Sequence, residues 1–293
     1  MVDNILKFPK IYKTLRYGGL YYQFFLSYVE NVENLKIELI EDTDEVFSHS
    51  INDVNQWGNG FSCTLNDKQF IVDIKDCHLI DYTEHFPGIP YFKYQKSEKS
   101  NTQTLPLGPP MCATLGNGSV TKQNMTDYFN LRKSFVYNPE GMILCKQRKL
   151  SYKKFCRRPE IQRTISQNFS NYDVSFQKDS SLNFWKKHKG CSASVCVPGY
   201  RDTILDRGQL ELIGLGVCTI SPELDTILCY NQKLIPDVHY IKCKDDYSDL
   251  VDKIKMLQSD KKLCKKIGDN ARDFFDTYMV PHKYLEWVKK CLR

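Results

Sequence analysis

Two arginines and a glutamate spaced around one short helix carry the clearest chemical signal in this chain. Arg201 and Arg207 flank the start of an amphipathic helix predicted from about Leu205 to Leu215, and Glu211 lies one turn beyond Arg207, among Leu210, Leu212, Ile213 and Leu215. Pro198-Gly199-Tyr200 precedes them and ends an apolar run of Ala193, Val195 and Val197. A second cationic pair, Arg157-Arg158, stands before Pro159 at the start of another predicted helix that reaches Asn168. Guanidinium groups bind phosphate through paired hydrogen bonds, and a helix N-terminus offers free N–H groups, so these residues suit a ligand that carries phosphate. Simpler pairings compete. Asp202 and Asp206 are close enough in sequence to neutralise Arg201, Arg157 and Arg158 read equally well as a solvated basic turn, and Arg207 can pair with Glu211 along the helix.

The elements that must position these residues follow from the pattern of apolar runs and breakers. An apolar strand, a Gly-containing loop, a helix stopped at Gly214 and Gly216, and a second strand at Val217 to Ile220 form the crossover unit of a parallel sheet. Such a unit puts its loop and helix N-terminus at the carboxyl edge, where ligands bind. With 293 residues, 41 % of them hydrophobic, the chain is long enough for two α/β domains. Between Lys96 and Thr126 it turns polar and rich in Pro and Gly, which predicts a linker and a boundary between a domain at 1–126 and another at 127–293. The first half predicts a helix over Tyr21 to Val29, a strand at Lys36 to Ile40, and a hairpin of Phe61 to Leu65 and Gln69 to Ile74 around Asn66-Asp67. The second half predicts a strand at Lys133 to Tyr137 and a short helix at Asn183 to Lys189. After the crossover come a strand at His239 to Lys242 and helices at Tyr247 to Leu257, Lys261 to Tyr278 and His282 to Leu292, with Pro281 redirecting the last.

The stretch from Ser192 to Leu257 resembles the donor half of nucleotide-sugar glycosyltransferases of the exostosin-like and CAP10-like families. The matching residues are Pro198-Gly199-Tyr200, Arg207, Glu211, Gly216, the strand to Ile220, His239-Tyr240 and the acidic cap Asp246 before the helix. Arg158-Pro159-Glu160-Ile161 is similar to the segment that opens the donor domain in exostosin-like proteins. Those families place the arginine three residues before the glutamate; here Arg207 and Glu211 are four apart, which keeps them on one helical face. The resemblance implies two Rossmann-like domains facing a cleft (the GT-B type), with the last helix crossing back to the N-terminal domain. It implies a donor site of Arg158, Gly199, Tyr200, Arg207 and Glu211, in which Glu211 holds the nucleotide ribose; Arg201, read from its charge beside the helix start, joins that site. The donor is then a uridine-diphosphate sugar such as UDP-xylose or UDP-glucose, and the partner an oligosaccharide or glycoprotein glycan acceptor. An inverting transfer needs a general base on the acceptor side. Asp73 and Asp76, in a segment weakly similar to that of CAP10-like enzymes, are both candidates because they follow an apolar strand and stand where carboxylates project from a sheet edge. A catalytically silent binding module of the same fold is the alternative.

Charge and composition exclude several other classes. A net charge of +6, without a continuous basic patch, argues against a nucleic-acid partner. Neither a P-loop nor the glycine triplet of dinucleotide sites occurs, and no Asp-x-Asp stands between apolar residues, so the expected reaction uses neither a metal nor a cofactor beyond the nucleotide sugar. The twelve cysteines stand singly, as small buried hydrophobes do, and neither they nor the six histidines have zinc-ligand spacing. With no secretory signal at Met1 to Lys10 and no transmembrane run of roughly 20 apolar residues, the chain reads as soluble and cytoplasmic.

Overall fold

Short apolar runs in the first 106 positions build a six-stranded sheet: β1 (Asn4–Pro9), β2 (Leu35–Ile40), β3 (Gly60–Leu65), β4 (Lys68–Asp73), β5 (Tyr91–Lys93) and β6 (Thr104–Pro106). The computed structural model describes residues 4–9, 25–26, 28–40, 60–73, 83–109, 122–135, 138, 140–147, 157–175, 181–198 and 204–293. The strand order is β2-β1-β3-β4-β5-β6. β1 with β2, β4 with β5, and β5 with β6 run parallel, while β3 opposes both β1 and β4. The β3–β4 hairpin turns where the sequence predicts, at Asn66 and Asp67. Both are left-handed, with φ of 51° and 62°, as a two-residue turn requires, and both residue types tolerate that region. Residues 25, 26, 28 and 29 are helical, in the segment read as a helix.

The stretch read as a linker carries β6 itself, and Lys96 Nζ ties it down by donating to Thr104 Oγ1 (2.8 Å) and Asn101 O (3.1 Å). Its polar composition reflects buried side-chain hydrogen bonds as well as turns. Next comes α1 (Lys122–Lys133), within which the expected boundary at 126 falls. Tyr128 of this helix is fully buried with its ring centroid 4.7 Å from that of Trp185, so α1 packs with the second half of the chain. The strand expected at Lys133 to Tyr137 does not form in its described part: Lys133 ends α1, and Ser134 and Phe135 turn off its last carbonyls. The turn hydrogen bonds reach as far as Phe135, whose β-propensity alone argues otherwise.

The second sheet is wholly parallel. Its chain order is β7 (Ile143–Leu144), α2 (Arg158–Asn168), β8 (Tyr172–Asp173), α3 (Ser181–His188), β9 (Ala193–Val195), α4 (Arg207–Leu215) and β10 (Thr219–Ser221). A small hairpin of β11 (Ile227–Leu228) and β12 (Gln232–Lys233) follows, then β13 (Ile241–Lys242), α5 (Leu250–Ser259), α6 (Lys261–Tyr278) and α7 (Pro281–Cys291). The spatial order is β8-β7-β9-β10-β13, so the chain steps outward from β7 to β8 and then back past β7 to β9. Adjacent strand residues feed opposite faces: Ile143 and Val195 pack with Ile161 and Ile165 of α2 and Leu250 and Ile254 of α5, whereas Leu144 joins the cluster containing Trp185, Leu212 and Phe275. Gly216 ends α4 with φ 83°, and α6 crosses so near that a Cβ on Gly268 would stand 2.2 Å from Gly216 O.

The last helix returns to the first sheet, as expected. Trp287 Nε1 donates to Pro106 O (2.6 Å), Tyr284 Oη to Gly108 O (3.0 Å), and Lys68 Nζ to Leu292 O (2.8 Å). Tyr28 packs edge-on against Tyr284 at 5.3 Å. The architecture is α/β, with helices and two sheets joined through this crossing helix. Cys63, Cys145, Cys191, Cys196, Cys218, Cys229, Cys243 and Cys264 are buried free thiols, matching their reading as small hydrophobes. No helix among the described residues is long and apolar enough to cross a membrane.

Candidate functional site

The reversal of strand order between β7 and β9 opens the carboxyl edge of the second sheet, since α2 and α4 leave neighbouring strands toward opposite faces. Arg158, the first residue of α2, lies across this point and is only 6 % exposed. Its Nε donates to Val197 O (2.8 Å), just past β9, and its Nη2 to Asp206 Oδ2 (2.8 Å). Asp206 is the N-cap of α4, with Oδ1 accepting from Gly208 N at 2.9 Å. One guanidinium therefore joins the N-termini of two helices. The solvated-turn reading applies to Arg157 alone, which pairs with Glu160 (2.8 Å), donates to Asp245 O (3.2 Å) and stands 5.7 Å from the Tyr247 ring. Its hydrogen bond to Glu160 raises the Arg157 pKa and lowers that of Glu160.

Polar side chains that the sequence did not single out complete the edge. Gln147 Oε1 accepts from Val197 N (2.5 Å), linking the exits of β7 and β9, and Gln162 Nε2 donates to Cys145 O (3.1 Å) and Gln147 O (3.2 Å). Lys146 Nζ donates to Asp173 Oδ2 (2.6 Å) and Ser175 Oγ (2.9 Å). Burial alone would raise the Asp173 pKa, but the hydrogen bonds from Lys146 and Ser175 outweigh it and hold the carboxyl low. The edge thus pairs cation with carboxylate at Lys146–Asp173, Arg157–Glu160 and Arg158–Asp206.

Glu211 is 3 % exposed and has the partner that burial demands: Trp185 Nε1 of α3 donates to its Oε2 at 2.9 Å. Tyr128 Oη donates to the Glu211 main-chain carbonyl at 2.7 Å, so this part of α4 is held by α1 and α3 together. Nothing in the sequence spacing pairs Trp185 with Glu211, 26 residues away. Arg207 opens α4, but its side chain, like Gly199, Tyr200, Arg201 and Asp76, lies outside the described residues.

Asp73 requires a correction. It was expected to project from a sheet edge, yet both it and Lys93 are fully buried; Lys93 Nζ (2.7 Å) and Tyr91 Oη (2.9 Å) both donate to its Oδ2. The reason is register: β5 lies parallel to β4 with Lys93 opposite Asp73, a pairing between strands separated by a long connection. Local sequence does not encode it.

No family model matches this chain. One curated relative, uncharacterized protein 179R of Invertebrate iridescent virus 6, is 30 % identical over 63 residues, which are 22 % of this chain and 5 % of that protein. The chain therefore spans only a small part of that relative's length. Among solved structures, the C-terminal domain of a group 1 family glycosyl transferase (LpcC) from Francisella tularensis aligns with a TM-score of 0.34 and 18 % identity, covering 52 % of this chain and 77 % of that one.

Proposed function

We propose that the protein is a glycosyltransferase that holds a uridine-diphosphate sugar at the carboxyl edge of the second sheet and passes the sugar, with inversion, to a glycan acceptor. The observation that carries this reading is Arg158, a nearly buried guanidinium spanning the N-termini of α2 and α4 where the strand order reverses. Charge develops on the diphosphate as the sugar leaves, and fixed donors aimed at that position stabilise it most. A phosphate arriving there meets Arg158 in competition with Asp206. Gly199, Tyr200 and Arg207 belong to the donor loop on the strength of the resemblance, Arg201 joins them by its charge beside the helix start, and charge neutralisation falls to arginine and helix termini rather than to a metal. With Asp73 sealed against Lys93, the base for the acceptor hydroxyl is assigned to Asp76.

Thermal shift with uridine diphosphate tests the donor site. At a hundred times its Kd the nucleotide adds about 2.7 kcal/mol of stability, and a nicotinamide dinucleotide adds none. Equal stabilisation by both would remove the assignment. The burial of Asp73 favours a second reading, a catalytically silent module that binds the same ligand. Binding without sugar transfer across a panel of nucleotide sugars and glycans would select it.

A further inference from the structure

A polar clamp joins the exit of the first sheet to the anion-binding edge of the second. β5 ends at Lys93, and Gln95 follows it, 3 % exposed. Gln95 Nε2 donates to Leu205 O (2.8 Å), and Gln95 Oε1 accepts from Leu205 N (3.2 Å). One side-chain amide thus satisfies both main-chain groups of a fully buried residue, much as a neighbouring strand would. Leu205 directly precedes Asp206, the cap of α4 and the partner of Arg158. On the far side, Ile227 N donates to Lys96 O (2.8 Å), so 95 and 96 are both fastened to the second half. Upstream, the Lys93–Asp73 pair locks the strand from which Gln95 extends.

We propose that Gln95 is a positioning residue for the anion site: the first sheet, through this amide, sets where Asp206 and Arg158 stand, and ligand affinity on the second sheet depends on it. The inference rests on the reading of Arg158 as the phosphate contact. Without the clamp, two buried main-chain groups lose their partners, the 204–206 segment is released, and the α4 cap loosens with it.

The test uses the full chain, with uridine diphosphate and inorganic pyrophosphate as probes in titration calorimetry, and amide exchange as a readout independent of ligand. Gln95→Ala should weaken binding at least tenfold per folded molecule and speed exchange at Leu205 and Gly208. Gln95→Glu supplies a readout that general destabilisation does not reproduce. Its introduced carboxyl opposes Leu205 O when ionised but, once protonated, both donates and accepts as the amide does. Affinity should therefore be weak near neutral pH and recover as pH falls, relative to the unsubstituted protein at each pH. Faster exchange with affinity within twofold of normal would make Gln95 a stability element only and overturn the proposal, as would unchanged exchange. If the unsubstituted protein binds neither probe, both readings fall; if it binds and Gln95→Ala binds as tightly, only the clamp falls.

Discussion

Two aspartate–cation pairs in this molecule look alike in composition and differ in what surrounds them. Asp73–Lys93 in the first sheet has both side chains at 0 % exposure, whereas Asp206–Arg158 at the edge of the second has 22 % and 7 %. In a sealed pair both charges are held away from water, and removal of one takes from the other a close counter-ion in a poor solvent. The rim pair sits where solvent reaches the carboxylate, and its arginine also donates to the main-chain carbonyl of Val197, so under the proposed function a ligand phosphate competes with Asp206 for the guanidinium while water solvates the displaced carboxylate. Burial, more than residue type, separates an anchor from a site.

The largest expected effect breaks the sealed pair. Asp73→Asn should cost about 3–5 kcal/mol in denaturant unfolding, because the fully buried Lys93 ammonium loses the carboxylate that stands 2.7 Å from it. Replacing both Asp73 and Lys93 with apolar residues should recover much of that loss. A stable Asp73→Asn protein that has lost only activity would return Asp73 to the role of base.

Next in size is the rim. Arg158→Ala should cut uridine diphosphate affinity at least tenfold, while Arg158→Lys recovers part of it, since an ammonium does not reproduce the forked contact to Val197 O and Asp206. An alanine variant with unchanged titration calorimetry would remove the anion site from this edge.

A third expectation concerns pH. His188 in α3 is buried with Nδ1 against Phe184 O (2.8 Å), and burial pushes its pKa from 6.5 down to about 4. The unfolded chain therefore takes up the proton first as pH falls. His188 contributes full stability above pH 6.5 and loses it progressively toward pH 4, by up to about 3 kcal/mol. His188→Asn, which keeps a donor near Phe184 O, should flatten the stability profile across that window. A profile unchanged by the substitution would show that the loss at low pH arises elsewhere.

The smallest effect sharpens the contrast between anchor and site at Glu211. Glu211→Gln keeps an acceptor for Trp185 Nε1, so stability should change by no more than about 1 kcal/mol and uridine diphosphate affinity by less than twofold. A tenfold loss of affinity at unchanged stability would instead give Glu211 the ribose contact implied by the family resemblance.

Local chemistry was legible wherever a few consecutive residues decide the outcome. Asn66-Asp67 specifies its own turn, Pro159 and Gly216 mark helix ends, Pro281 begins the last helix, and the alternation of apolar residues yields strands that feed two faces. These features depend on φ/ψ preferences and hydrogen bonds that span a handful of positions. The cap at Asp206 is an exception: the sequence predicts a helix from about Leu205, with Asp206 as a neighbour that neutralises Arg201, whereas the helix starts at Arg207 with Asp206 accepting from Gly208 N.

Partners were a different matter. That Lys93 rather than solvent meets Asp73, that Arg158 pairs with Asp206, that Trp185 holds Glu211, and that Gln95 reaches Leu205 all follow from strand register and helix packing across 20 to 110 residues of chain. The sequence by itself determined which residues carry charge and which segments form strands and helices. Only the tertiary structure decided which charges are sealed and which are offered at an edge, because burial and ion pairing depend on what the rest of the chain places beside each group.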